Sequence, residues 1–242
     1  MSLPIIETPK YEVQIPSTGK VVSYRPYLVR EEKILMVALE SQDGKQALAA
    51  IKDVIKACTF EAIDPNKLTL FDLEYVFLKL RAKSVGETTD VRLRCEKCET
   101  YTDNTINLDQ IELLWPNGKK EDKTVKLTDK IGLTLQYVTI EKMGNLNLDI
   151  KTNVDKMNVM SDMIAASIES IYDENKIYPT IETSRAELDK FIDTLNRTQL
   201  DAIEKFLSNM PRLEKKIDFV CSKKECNHAN SIVLTGLQSF FA

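Results

Sequence analysis

Four of the five cysteines in this 242-residue chain lie in two short pairs that are far apart in sequence. Two residues separate Cys95 from Cys98, and four separate Cys221 from Cys226. The only histidine of the sequence, His228, follows the second pair. Because each closely spaced pair of thiolates can fill two corners of a tetrahedral site, the two pairs predict a structural zinc (Zn²⁺) site with these four cysteines as ligands.

The spacing leaves alternatives for this site open. The gap between Cys221 and Cys226 is wider than the usual two residues, so His228 is an alternative fourth ligand. Four reduced cysteines without a metal are a second interpretation, and disulfides are a third. The first residues show no basic region followed by an apolar stretch, so we expect no secretory signal and a reducing compartment, which favours metal over disulfides.

Each cysteine pair is predicted to lie at the tip of a β-hairpin. Residues 90–95 alternate between apolar and polar side chains, and residues 100–108 are predicted to form the returning strand. Residues 216–220 and 231–234 repeat this arrangement around the second pair.

Closing the loop of about 120 residues between the pairs costs roughly 4–5 kcal/mol, whereas zinc contributes on the order of 10–16 kcal/mol. The metal would therefore dominate the closure.

The remaining periodicities mix strands with amphipathic helices and predict an α+β protein. A hairpin is expected at residues 11–24 and further strands at 124–127 and 133–137, on either side of a bend at Gly132. Helices are predicted at residues 31–39, 45–58, 70–82, 154–172, 184–195 and 198–210.

Two of these helices have apolar stripes that predict which side chains are buried. In the helix at 31–39 the predicted buried face consists of Ile34, Leu35, Ala38 and Leu39. In the helix at 154–172 it consists of Val154, Met157, Ile164, Ile168 and Ile171.

The order of these elements predicts three regions. Residues 1–87 form an N-terminal hairpin and helical region, and residues 88–110 and 213–242 form a split zinc-ribbon-like region. Residues 111–212 are a mixed, mainly helical insertion between the two halves of the ribbon.

The sequence lacks the usual signatures of catalysis. Neither a phosphate-binding loop nor a dinucleotide fingerprint is present, and the single histidine follows the second cysteine pair. A metal-dependent hydrolase would need an open coordination position, which four cysteine ligands do not leave. We therefore expect no enzymatic activity and no small-molecule substrate.

Charge and hydropathy narrow the possible partners. The net charge is −4 and the isoelectric point is about 5.3, so the general basic field of nucleic-acid-binding proteins is absent. The alternative function is a zinc-ribbon module that binds nucleic acid. It depends on a local basic patch formed by three lysine pairs: Lys119-Lys120, Lys215-Lys216 and Lys223-Lys224. No apolar run approaches the roughly 20 residues that span a bilayer, so no membrane span is expected.

Three segments give the chain a resemblance to a known family. Residues 13–20, 24–33 and 71–87, the last followed by the pair Cys95 and Cys98, resemble the T4-like bacteriophage baseplate hub protein family. The resemblance implies a non-enzymatic component or assembly factor of the central hub of a contractile tail, made in the host cytoplasm. It implies other baseplate hub proteins as partners, with the tape measure protein as a further candidate, and no catalytic residues.

Overall fold

The computed structural model describes residues 6–41, 43–144 and 152–240, and it confirms the predicted α+β class. The chain forms two units, the first from Met1–Leu114 with Arg212–Ala242 and the second from Trp115–Pro211. The predicted division into three regions, with boundaries at 88, 111 and 213, remains a prediction.

Helices and small antiparallel sheets alternate along the described chain. In chain order the elements are β1 (Tyr11–Gln14), β2 (Val21–Tyr24), α1 (Val29–Glu40), α2 (Gly44–Cys58), α3 (Leu70–Ser84), β3 (Thr88–Arg94), β4 (Tyr101–Asn107), β5 (Glu112–Leu114), β6 (Thr124–Lys126), β7 (Gly132–Leu135), α4 (Ile140–Gly144), α5 (Asn153–Ser167), β8 (Ile168–Tyr172), β9 (Ile177–Pro179), α6 (Arg185–Asp193), α7 (Arg197–Ser208), β10 (Arg212–Val220) and β11 (Ala229–Thr235). None of the helices described is long and apolar enough to cross a membrane.

The first unit contains the three predicted hairpins. β1 pairs with β2, β3 pairs with β4, and β10 pairs with β11, all antiparallel. Sequence periodicity missed β5, a strand of three residues that pairs with the start of β10 and extends that hairpin to a three-stranded sheet. Such a short strand has too few residues to show an alternating pattern.

Helix α3 supplies the centre of the first unit's core. Four of its apolar side chains are at most 1% exposed: Leu73, Val76, Leu78 and Leu80. Thr69 is the N-cap of this helix, because its hydroxyl accepts the backbone N–H of Asp72. The buried Asp72 carboxylate also accepts the backbone N–H of Ser17 at 2.8 Å, which joins the β1–β2 turn to the start of α3.

The predicted buried face of α1 is only partly correct. Leu35 and Ala38 are buried, but Ile34 is 49% exposed and Leu39 is 64% exposed. The third buried position is Glu31, whose carboxylate pairs with Arg25. A stripe at i, i+4 and i+7 is narrower than the predicted face, so the flanking apolar residues remain outside it.

The second unit packs helices around the sheet β6-β7-β8-β9. Its core includes the fully buried side chains of Leu133, Leu135 and Ile168. The Tyr137 ring stacks on Phe206 with 5.3 Å between the ring centroids. A capping box opens α6, in which the side chains of Ser184 and Glu187 each accept the other residue's backbone N–H.

Three predictions in this unit are wrong, one of them in part. The helix predicted at 154–172 ends at Ser167, and the next five residues form β8, because β-branched and aromatic side chains there pair with β7. The predicted buried face of this helix is also partly wrong, because Met157, which does lie within α5, is 73% exposed. The side chain of Val154 lies outside those described. Gly132 is not a bend but the first residue of β7, where a Cβ atom would overlap the Tyr172 ring.

Candidate metal centre

The first cysteine pair occupies the tight turn between β3 and β4. The backbone N–H of Cys95 donates to the Thr100 carbonyl at 2.9 Å, and the N–H of Glu99 donates back to the Cys95 carbonyl at 2.9 Å. Glu99, the residue directly after Cys98, has a positive φ of 62°. This left-handed residue turns the chain so that both sulfurs lie on the inner side of the turn.

The second cysteine pair lies in a longer turn with the same features. The N–H of Cys221 donates to the His228 carbonyl at 2.9 Å, and Asn227, directly after Cys226, has a positive φ of 41°. An additional turn, in which the N–H of Cys226 donates to the Lys223 carbonyl at 2.9 Å, takes up the extra residues between the two cysteines. The wider spacing therefore still presents two sulfurs on one side.

The structure brings the four predicted cysteines together. Their sulfur atoms all lie within 4.8 Å of one another, and this cluster does not include His228. Cys95 Sγ is 3.9 Å from Cys226 Sγ, and Cys98 Sγ is 3.5 Å from Cys221 Sγ. A tetrahedron with Zn–S bonds of about 2.3 Å has sulfur–sulfur edges of about 3.8 Å, whereas a disulfide bond is about 2.05 Å. The arrangement has the dimensions of a four-thiolate metal site.

Asn230 links the two turns. Its side-chain oxygen accepts the backbone N–H of Glu96 at 3.0 Å, and its side-chain nitrogen lies 3.0 Å from the His228 carbonyl and 3.5 Å from Cys95 Sγ. Asn230 is 4% exposed, so these polar contacts are shielded from water. Hydrogen bonds of this kind orient metal ligands.

A second link joins the same turns at the surface. The backbone N–H of Ser222 donates to the Thr102 hydroxyl at 3.1 Å. Sequence reasoning missed both Thr102 and Asn230. Asn230 lies just before the strand predicted at residues 231–234, so nothing in its sequence context indicated its role. The structure places it inside β11, where asparagine is disfavoured unless its side chain has a partner.

The thiols do not ionise equally in the absence of a cation. Hydrogen bonding to Thr100 lowers the pKa of Cys98 to about 6. The backbone hydrogen bond at Lys223 lowers the pKa of Cys221, but burial and the adjacent sulfurs outweigh it and raise the value to about 12. Four neighbouring thiolates repel one another, so all four are stable together only around a positive ion.

The charged residues of these hairpins give the site no basic surface. Arg92 pairs with Asp103 at 3.3 Å, and Arg94 pairs with Glu99 at 2.7 Å. In the turns themselves the exposed lysines alternate with exposed glutamates: Lys97, Lys223 and Lys224 with Glu96 and Glu225. These charges nearly balance, whereas nucleic-acid binding relies on an excess of basic groups.

The sequence was compared with known proteins and families. The family model for the T4 bacteriophage base plate protein matches residues 8–242, which include all four clustered cysteines. Comparison with curated proteins and with solved structures gives no significant match. Because the family match covers nearly the whole chain, the protein belongs to the T4 bacteriophage base plate protein family and is a component of the phage baseplate.

Proposed function

We propose that this protein is a non-enzymatic component or assembly factor of the central hub of the baseplate. It acts through contacts with other hub proteins in the host cytoplasm during assembly, with the tape measure protein as a further candidate partner. A structural Zn²⁺ ion, bound by Cys95, Cys98, Cys221 and Cys226, holds together the two hairpins that carry these cysteines. Family membership supports the baseplate part of this proposal.

The convergence of four sulfurs carries the structural part of the proposal. Cys95 and Cys226 are 131 residues apart in sequence, yet their sulfurs are 3.9 Å apart. Four protein ligands complete a tetrahedral zinc site and leave no position for a bound water. Such a site supports a scaffold role rather than metal-dependent hydrolysis, which needs an activated water.

The contacts of Asn230 give a test of the metal site that leaves the ligands intact. Asn230→Ala removes the acceptor for the Glu96 N–H and the donor near Cys95 Sγ. We expect zinc affinity to fall about 10- to 100-fold, and the free energy of unfolding to fall by about 1 kcal/mol because the partly buried Glu96 N–H loses its acceptor. Competition with a chromophoric chelator measures the affinity.

The matched control for this substitution is Asn104→Ala. The Asn104 amide donates to the Thr102 carbonyl at 3.2 Å on the same hairpin, but it makes no contact with a cysteine sulfur among the described side chains. We expect the control to keep the wild-type zinc affinity. Equal affinities for wild type and Asn230→Ala would show that Asn230 does not orient the ligands.

The hub role is tested by assembly. Co-expression with the other hub proteins of the same phage is expected to yield a complex that survives size-exclusion chromatography, and the tape measure protein is tested in the same way. Mass spectrometry of purified virions and of hub intermediates then distinguishes a permanent component from an assembly factor. A protein that stays alone in every co-expression, and is absent from the intermediates, would contradict the hub role while leaving its family membership intact.

A further inference from the structure

The outer face of α1 exposes a group of apolar side chains on one helix. Val29, Met36 and Val37 are 64%, 56% and 68% exposed, and the flanking Ile34 and Leu39 are 49% and 64% exposed. Ile34 and Leu39 lie on opposite edges of the buried stripe, whereas Val29, Met36 and Val37 share the face of the helix that points away from Leu35. Single exposed apolar residues are common on protein surfaces, but a group on one face is typical of an interaction site. We call Val29, Met36 and Val37 the α1 patch.

Two opposite charges frame Met36 and Val37 along the helix axis. Lys33 and Glu40 are both exposed and lie on the same side of the helix as Val29, opposite the buried Leu35. Within the described residues neither Lys33 nor Glu40 makes an ion pair. Seven residues separate them, which corresponds to two turns or about 10 Å along the helix axis.

The positions of these charges are symmetric about the neighbouring residues Met36 and Val37. Lys33 precedes Met36 by three residues, and Glu40 follows Val37 by three residues. A two-fold axis between Met36 and Val37 therefore places Lys33 of each copy opposite Glu40 of the other, with the apolar side chains between them. A surface that is complementary to itself in this way is the requirement for a two-fold symmetric interface.

We propose that the α1 patch is a homodimerisation surface, in which α1 packs antiparallel against α1 of a second copy of this chain. Lys33 pairs with Glu40 of the second copy at both ends of the contact. Two such faces bury on the order of 1,000 Å² in total, at the low end for a specific interface. We therefore expect a weak dimer whose population depends on protein concentration. The proposal does not depend on the hub role or on the metal.

Charge reversal tests this pairing. In Lys33→Glu both framing charges are acidic, and in Glu40→Lys both are basic, so each variant paired with itself has like charges at both ends. We expect the dimer dissociation constant, measured by sedimentation equilibrium, to rise at least about tenfold for each variant. An equimolar mixture of the two variants, and the double variant Lys33→Glu/Glu40→Lys, should both recover dimerisation.

The control is Lys67→Glu, which reverses an exposed lysine of the first unit outside α1 and should keep the wild-type dissociation constant. All of these positions are exposed, so circular dichroism and melting temperature should match the wild type. A wild-type protein that stays monomeric up to millimolar concentration would overturn the proposal. A dimer whose dissociation constant does not change in the single variants would also overturn it. The same holds if the two variants fail to form a dimer when mixed, because the α1 face would then bind a different partner.

Discussion

Removal of the metal is expected to unfold the cysteine-bearing hairpins and to lower the melting temperature of the purified protein by more than about 10 °C. Structural zinc contributes on the order of 10–16 kcal/mol to sites of this kind, which is comparable to the total stability of about 5–15 kcal/mol of a folded domain. The β3–β4 hairpin forms a separate two-stranded sheet, and an isolated hairpin is marginally stable in water. The proposed ion would then be the main link that holds this hairpin against β10–β11.

The experiment combines metal analysis with unfolding. Elemental analysis should give one zinc per chain, and titration with a chelator should release it together with a loss of thermal stability. Cys221→Ser, which removes a buried ligand, should reproduce the effect without chelator. The thiol-to-hydroxyl change is nearly isosteric, so the loss would come from the metal rather than from a cavity.

Cys58→Ala is the matched control for Cys221→Ser. Cys58 is fully buried but lies outside the sulfur cluster, at the end of α2. The variant should keep one zinc per chain and lose only the roughly 1 kcal/mol that a small cavity costs. Metal-free protein with the wild-type melting temperature would contradict the zinc site, and equal zinc loss in Cys58→Ala would show that the loss is not specific to the cluster.

The cysteine turns were predictable because their signals are local. Short cysteine spacing and a period of two around Cys95 depend only on neighbouring residues. The contacts of Asn230 were not predictable, because its partner Glu96 is 134 residues away and nothing near either residue indicates the pairing. Local patterns define each half of the candidate site, and only the fold defines how the halves meet.

The difference between local patterns and tertiary contacts also explains the wrong predictions for the segment after α5 and for the buried face of α1. The segment that starts at Ile168 continues the apolar stripe of α5, so periodicity alone extends the helix. Pairing of Ile171 with Leu133 makes the segment a strand instead, and that partner is distant in sequence. On α1, Leu39 fits the predicted apolar stripe, but only Glu31, Leu35 and Ala38 are buried and Leu39 stays exposed. Tertiary packing decides both cases.

A buried ion pair next to α1 gives the second large effect. Arg25 and Glu31 are 8% and 4% exposed, with 2.9 Å between Arg25 Nη2 and Glu31 Oε1. Glu31 also accepts the backbone N–H of Leu28 at 2.7 Å, which caps the start of α1. Arg25 in turn donates to the Pro26 carbonyl at 2.9 Å. The pair thus joins the end of β2 to the first turn of the helix.

Glu31→Gln is expected to lower the free energy of unfolding by about 3 kcal/mol, because it keeps the shape of the side chain but leaves the Arg25 charge buried without a counter-charge. Chemical denaturation at neutral pH measures the change. The control is Glu32→Gln on the same helix turn, where a half-buried carboxylate has no ion pair among the described residues and the change should stay within about 0.5 kcal/mol. Equal effects at the two positions would show that the ion pair is not the cause.

The same pair predicts a specific dependence on pH. Burial raises the pKa of Glu31, but hydrogen bonds from Arg25, from Arg30 and from the Leu28 N–H outweigh burial and lower it to about 2. The pKa of an unfolded glutamate is about 4.3. Because the folded value is the lower one, the contribution of Glu31 is complete above the unfolded pKa and is lost as the pH falls from about 4.5 towards 2.

Other carboxylates and the thiolates also titrate in acid, so the wild-type curve alone does not isolate Glu31. The difference in unfolding free energy between wild type and Glu31→Gln does isolate it, since glutamine carries no titrating proton. This difference should stay constant from neutral pH to about pH 5 and then shrink as the pH falls towards 2. Two curves that remain parallel down to pH 2 would mean that Glu31 is not held ionised by Arg25. The loss at neutral pH would then come from packing around α1 alone.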